Sequence, residues 1–179
     1  MKYKILQLDE KNMDDFWRLR KELFLELGEI SKEKDISELK AATKQYYLSY
    51  INKDLSCWGV YQEEEILAIG SLCLFSRIPY QENLSGTEGY ILNIYTSEHF
   101  RKFGFANQIL DKIIEYSQQH HINRLWLSSS EQGKRIYTRK GFIKRENEME
   151  LYLWSWNIDY IRYIAKNIID MCLNITSKS

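Results

Sequence analysis

Hydrophobic and polar positions along the chain fall into segments with two different periods. Lys4-Ile5-Leu6-Gln7-Leu8 reads as a short first strand. Phe16, Leu19, Leu23, Phe24 and Leu27 then recur at helical spacing. Asp14 and Asp15 stand where that helix opens, because its dipole favours carboxylates there, and Gly28 marks its end. After a polar connection at 29–34, a second helix is predicted over 37–52, presenting Leu39, Ala42, Tyr46, Tyr47 and Tyr50. A hairpin follows, with strands at 57–61 and 66–75 around a turn at 62–65. The stretch 76–88 holds the only proline, Pro79, and reads as a loop. A fourth strand at 89–96 leads to a helix at 105–120, a fifth strand at 124–128 and a short helix at 133–139. Two more strands are predicted at 142–144 and 148–153.

This order predicts an α/β fold and not a repeating βαβ array. The expectation is a single domain over 1–153, with a mixed sheet of about seven strands flanked by about four helices. Residues 154–179 form an extension. There Ile158, Ile161, Ile164, Ile168 and Cys172 fall mostly on one helical face. Such a helix packs back on its own domain or joins two copies into a homodimer.

Composition narrows the function classes. Hydrophobic residues make up 44% and charged residues 28%, which is the balance of a globular chain and not of a disordered one. Lys+Arg and Asp+Glu both number 25, and no basic stripe appears, so a nucleic-acid partner is not expected. No apolar run is long enough to span a bilayer, and residues 1–10 are too polar for a signal peptide. Cys57, Cys73 and Cys172 are few, odd in number and without a Cys-x-x-Cys pair, so reduced thiols and a cytoplasmic location are expected. His99, His120 and His121 lack metal-ligand spacing with other candidates, and no metal is expected.

The chemistry-bearing stretch is 89–106. A strand enters the loop Arg101-Lys102-Phe103-Gly104-Phe105-Ala106, which opens a helix buried along Ile109, Leu110, Ile113 and Ile114. The first N–H groups of a helix have no intrahelical partner, and the dipole adds positive charge, a combination that suits a pyrophosphate. Gly104 lets the backbone approach closely or take a positive φ, and Ala106 is small. Arg101 and Lys102 add charge. Neither Gly-x-Gly-x-x-Gly nor Gly-Lys-Ser/Thr is present, so this is not a dinucleotide fingerprint or a Walker loop. Alone, the loop is also an ordinary β-α turn with a glycine in it.

Arg101-x-x-Gly104-x-Ala106, set between a strand and a long helix, resembles the acyl-CoA-binding motif of the GNAT acetyltransferases. Tyr137-Thr138-Arg139-Lys140-Gly141-Phe142 resembles that family's Tyr-x-x-x-Gly-Phe element, at the expected distance. The run from Trp126 to Tyr137, with Asn147-Glu148-Met149-Glu150 beyond, is similar to a bacterial-looking branch of the superfamily. The likeness covers 1–153 in element order and is residue-specific over about 89–150.

The resemblance implies an N-acetyltransferase that passes acetyl from acetyl-CoA to a primary amine in a ternary complex. The pyrophosphate would sit on the backbone of Phe103, Gly104, Phe105 and Ala106, beside Arg101 and Lys102. The pantetheine would pair with Asn93, Ile94 and Tyr95, with an N–H near Ile94 polarising the thioester carbonyl. Tyr137 takes the place of the general acid. Some members carry a base on the fourth strand at the position of Tyr90. Glu88, two residues earlier, is the nearest carboxylate, acting directly, through water, or as a plain strand-end charge. Ser130 stands where many relatives have an asparagine near the pantetheine. Glu29 lies in the region that borders the acceptor pocket. Two other classes keep the same fold: a non-catalytic acyl-CoA-binding regulatory or sensor domain, and a partner-binding domain that uses the C-terminal helix.

Overall fold

The computed structural model of the chain describes residues 2–149 and 151, and the periods predicted from residue 4 to residue 139 each become an element there. The chain divides into two units, Met1–Phe142 and Ile143–Ser179. The first contains β1 (Lys4–Gln7), α1 (Met13–Leu27), α2 (Ser37–Tyr50), β2 (Leu55–Gln62), β3 (Glu65–Ser76), β4 (Thr87–Thr96), α3 (Phe105–Gln119), β5 (Arg124–Trp126) and α4 (Lys134–Arg139). The sheet runs in the order β1-β2-β3-β4-β5. Successive strands are antiparallel up to β4, and β5 lies parallel to β4. A parallel pair needs a long crossover, which α3 provides.

Alternation along β2 sorts the core into two layers. Cys57 and Tyr61 pack with Phe16, Leu19 and Tyr47 from α1 and α2. Trp58 and Val60 pack with Ile109, Leu110 and Ile113 of α3. Of the predicted stripes, α3 buries Ile109, Leu110 and Ile113, and α1 buries Phe16 and Leu19, while Leu27 at the end of α1 is exposed. In α2 the stripe is narrower than expected, because Tyr47 alone is buried. Tyr46 and Tyr50 are more than two-fifths exposed and pack ring against ring at 4.7 Å.

Five strands, and not about seven, are present among the described residues. Residues 142–144 do not join the sheet. The Phe142 N–H bonds back to the Tyr137 carbonyl at 3.1 Å, closing the end of α4, and Ile143 is 74% exposed. Residues 148–149 form no strand either, and Met149 is 97% exposed. The remainder of that predicted strand and the predicted helix beyond 154 lie outside the described residues. In the second unit the described residues form neither helix nor strand, and Lys144 pairs with Glu146 at 3.0 Å. No helix among the described residues is long and apolar enough to cross a membrane.

Candidate active site

The decisive irregularity lies in β4. Ser71 stands opposite Leu92 and Ile69 opposite Tyr95, so Asn93 and Ile94 together face the single residue Gly70. Asn93 takes a left-handed φ of 55° to make this bulge. An extra residue reverses the strand's alternation. Without it Asn93 would share the α3 face with Ile91. With it, Leu92 and Asn93 both turn toward α1 and α2, and the Asn93 side chain reaches Ser71 Oγ at 3.4 Å. Asn93 and Ile94 thus fall outside the regular register with β3.

On the other side of β4 the pairing is short. β5 matches only Glu88, Gly89 and Tyr90, and β4 runs on beyond Trp126 to Thr96. The inner half of β4, bulge included, therefore has no strand on its β5 side among the described residues.

The same end of β4 leads into the α3 loop. Gly104 has φ +82°, a conformation that favours glycine, and the N-terminus of α3 carries no side-chain cap. A Cβ at Gly104 would meet nothing closer than Gln108 Nε2 at 3.9 Å. The glycine is needed for its φ and for the open ground in front of the helix, not for packing within the protein. Phe105 is buried against Tyr3, whereas Phe103 is half exposed and stacks on Phe105 at 5.8 Å. Ala106 is half-buried in the first turn, and Lys102 is exposed with φ 69°. Arg101 is occupied elsewhere. Its guanidinium pairs with Glu26 of α1 and donates to the Thr96 carbonyl at 3.2 Å, near the Tyr95 ring. The hydrogen bond it donates to Glu26 holds its pKa above the ordinary arginine value.

Tyr137 sits on α4, half-buried against the α3 layer. Gly141 follows the helix with φ 89°, and the Phe142 ring returns to Tyr137 edge-on at 5.8 Å. The Tyr-x-x-x-Gly-Phe spacing is thus a helix end: a residue, three more to finish the turn, a left-handed glycine, and an aromatic folded back on the first. Burial, with Tyr90 nearby, pushes the Tyr137 phenol up to about 12. Ser130 caps the turn before α4, its Oγ accepting from the Gly133 N–H at 3.2 Å.

Glu88 has another occupation from the one its position suggests. Its carboxylate is fully buried and accepts from Tyr80 Oη at 2.8 Å, from Arg124 Nη1 at 3.0 and 3.1 Å, and from Arg77 Nη1 at 3.4 Å. Burial alone would raise its pKa. The Tyr80 and Arg124 hydrogen bonds, the Arg124 charge and the Arg77 bond outweigh burial and hold it below the usual carboxylate range. It also stands five residues before Asn93, about 16 Å along an extended strand. The cluster pins the Pro79 loop to β4 and β5, and a bond from Arg77 N–H to the Gly86 carbonyl at 2.8 Å closes that loop.

On the α1/α2 face a cavity of about 320 Å³ opens at the bulge, lined by Phe16, Arg20, Ala42, Thr43, Tyr46, Tyr47, Leu55, Cys73, Leu92 and Asn93. The Arg20 guanidinium donates to Asn93 Oδ1 and lies 4.3 Å from the Phe24 ring centroid. Sequence reading did not single out Arg20. It stands one residue beyond the buried Leu19 on a periodic helix, and only the bulge brings Asn93 to it.

Among the described residues, a bulged strand whose inner half has no β5 partner leads into an uncapped helix start. The sequence profile of the acetyltransferase (GNAT) family matches residues 14–142, and the chain belongs to that family. Solved structures agree. A predicted acetyltransferase from Clostridium acetobutylicum, solved with acetyl-CoA, is 25% identical, with a TM-score of 0.76 over 85% of this chain and 97% of its own. A GCN5-related N-acetyltransferase from Ralstonia eutropha is 17% identical, with a TM-score of 0.74 over 86% of this chain and all of its own. The aminoglycoside acetyltransferase AAC(6')-Iy, solved with a CoA-linked bisubstrate analogue, shares the fold at 13% identity and TM-score 0.68, over 86% of this chain and 99% of its own. No curated protein sequence matches the chain.

Proposed function

We propose that this protein transfers acetyl from acetyl-CoA to the nitrogen of a primary amine within a ternary complex. The observation that carries the reading is the bulge at Asn93 and Ile94 in a half-strand that β5 does not pair with, continuous with the uncapped start of α3. Backbone N–H groups of Phe103 to Ala106 hold the pyrophosphate, with Lys102 beside them. Arg101 acts from behind, fixing the loop to α1 through Glu26. Asn93, Ile94 and Tyr95 pair with the pantetheine arm, and Ser130 shapes the turn on the far side of that wedge.

When bound, acetyl-CoA supplies a thioester whose acyl carbon a neutral amine attacks, forming an amide and a free thiol. The Ile94 N–H supports the charge that grows on the carbonyl oxygen. Tyr137 holds the proton that the departing sulfur takes up, and the nitrogen's second proton restores the phenol. The ammonium form of the acceptor first gives up a proton, and water takes it. Glu88 is a poor base here, because its lone pairs are engaged and its neighbours favour the ionised form.

Calorimetric titration with acetyl-CoA, with CoA and ATP as controls, tests the cofactor. Saturable binding at micromolar affinity, about −8 kcal/mol, is expected, followed by acceptor-dependent thiol release. Absence of binding at millimolar acetyl-CoA overturns the reading.

A further inference from the structure

Arg20 is the one charged side chain among the residues that line the cavity at the bulge. A cation inside a protein is ordinarily matched by an acid. No ion pair joins Arg20 to an acid among the described residues. Glu29 is near enough for its field to be felt, but it is exposed and makes no such pair. The partners present are neutral: the Asn93 amide oxygen and the Phe24 ring. The Arg20 Nε is buried with no hydrogen-bond partner. A guanidinium offers a planar fork of donors that matches the two oxygens of a carboxylate or phosphate. Burial lowers the Arg20 pKa, which marks the charge as costly to hold without a counter-ion.

We infer that the acceptor is a small amine carrying an oxyanion, carboxylate or phosphate, which Arg20 binds in this cavity. The inference rests on the reading of Asn93 to Tyr95 as the place of acyl delivery. Because Arg20 touches Asn93 itself, the oxyanion lies close to the reacting nitrogen, and both belong to one compact molecule. A cavity of about 320 Å³ walled by Phe16, Tyr46, Tyr47 and Leu92 suits a ligand of that size. It disfavours a polyamine, whose second ammonium would meet Arg20.

The test is thiol release from acetyl-CoA with matched acceptor pairs: free amino acids against their carboxamides, and amino sugars against their 6-phosphates, with a linear polyamine as the cationic control. The expected result is a preference of about 100-fold in kcat/KM for the oxyanion-bearing member of a pair. The pair that shows it separates carboxylate from phosphate. Arg20→Gln is expected to reduce that preference to less than about tenfold, and Arg20→Lys to keep part of it. Thermal melting reports whether each variant is folded, and the wild-type preference needs no variant. Preference for neutral or cationic acceptors overturns the inference, as does a preference that survives in folded Arg20→Gln. Calorimetry with acetyl-CoA separates the two levels. Binding of acetyl-CoA without turnover of any oxyanion-bearing amine overturns the inference alone. Failure to bind acetyl-CoA overturns the reading beneath it.

Discussion

Arg101 and Glu26 are paired across the molecule, the loop before α3 to the last turn of α1, while Arg101 also donates to the Thr96 carbonyl. These contacts favour a fastening role for the arginine that opens the loop motif. Glu26→Gln is expected to weaken acetyl-CoA binding about threefold, the scale of a partly exposed ion pair. An arginine that bound phosphate directly would bind it better once freed from Glu26. Calorimetric titration of Glu26→Gln gives the sign.

Gly104 is held at φ +82°, with open space where a Cβ would stand. Gly104→Ala is expected to cost about 1–2 kcal/mol of stability from the left-handed backbone alone. Gly104→Val adds a branched side chain in front of the α3 N-terminus and is expected to abolish acetyl-CoA binding. Thermal melting and titration of the two variants separate strain from occlusion.

Tyr137→Phe removes the proposed proton donor and leaves the ring that meets Phe142. Turnover is expected to fall about 100-fold, with acetyl-CoA affinity within about twofold of wild type. Because burial pushes the phenol up to about 12, its ionisation shapes the pH–rate profile only near that value. The acid limb belongs to the acceptor amine losing its proton.

Glu88 bears on stability. Its folded pKa lies below the unfolded one, so its contribution is complete above the unfolded value and is lost as pH falls through the folded value. Glu88→Gln is expected to cost about 2 kcal/mol, from weakened hydrogen bonds to a charged group, and to flatten the acid side of the stability curve. The acid limb of the pH–rate profile is expected to stay where it is. A shift of that limb would return Glu88 to the chemistry.

Alkali acts in the opposite sense. Burial pushes the Cys57 thiol up to about 12 and raises the Tyr46, Tyr47 and Tyr61 phenols. Above the ordinary thiol and phenol values, about 8.5 and 10, the unfolded chain releases protons that the folded chain retains. The folded state then binds more protons, so stability falls as pH rises. Urea unfolding at stepwise higher pH is expected to show midpoints declining from about pH 9 upward.

Much of this architecture was legible because it is periodic. The α1 and α3 stripes, the β2–β3 hairpin and the Arg101-to-Ala106 and Tyr137-to-Phe142 segments each carry their signal within a few neighbouring residues. What sequence did not show depends on contacts between distant residues. Nothing in Leu92-Asn93-Ile94 announces an extra residue, because a bulge is defined only against the partner strand, here at Gly70. The role of Arg20 follows from that bulge and was equally hidden. The surroundings of Glu88 were hidden for a related reason. A carboxylate on the right strand and face looks like a base until Arg77, Arg124 and Tyr80 are folded onto it. Phe142-Ile143-Lys144 alternates well enough for a strand, but its first N–H is already spent on α4.

Among the described residues the inner half of β4 has no strand on its β5 side, and this has a consequence for the protein before it meets its cofactor. A stretch of strand with a free flank is a template, and the nearest thing of matching shape in a concentrated solution is another chain. The pantetheine arm would then serve as a surrogate strand, a small molecule that completes a sheet. On that view saturating CoA protects the protein from clumping as well as equipping it for chemistry. Light scattering during storage or gentle heating should rise more slowly with CoA present, even in Tyr137→Phe, where turnover is expected to be about 100-fold lower.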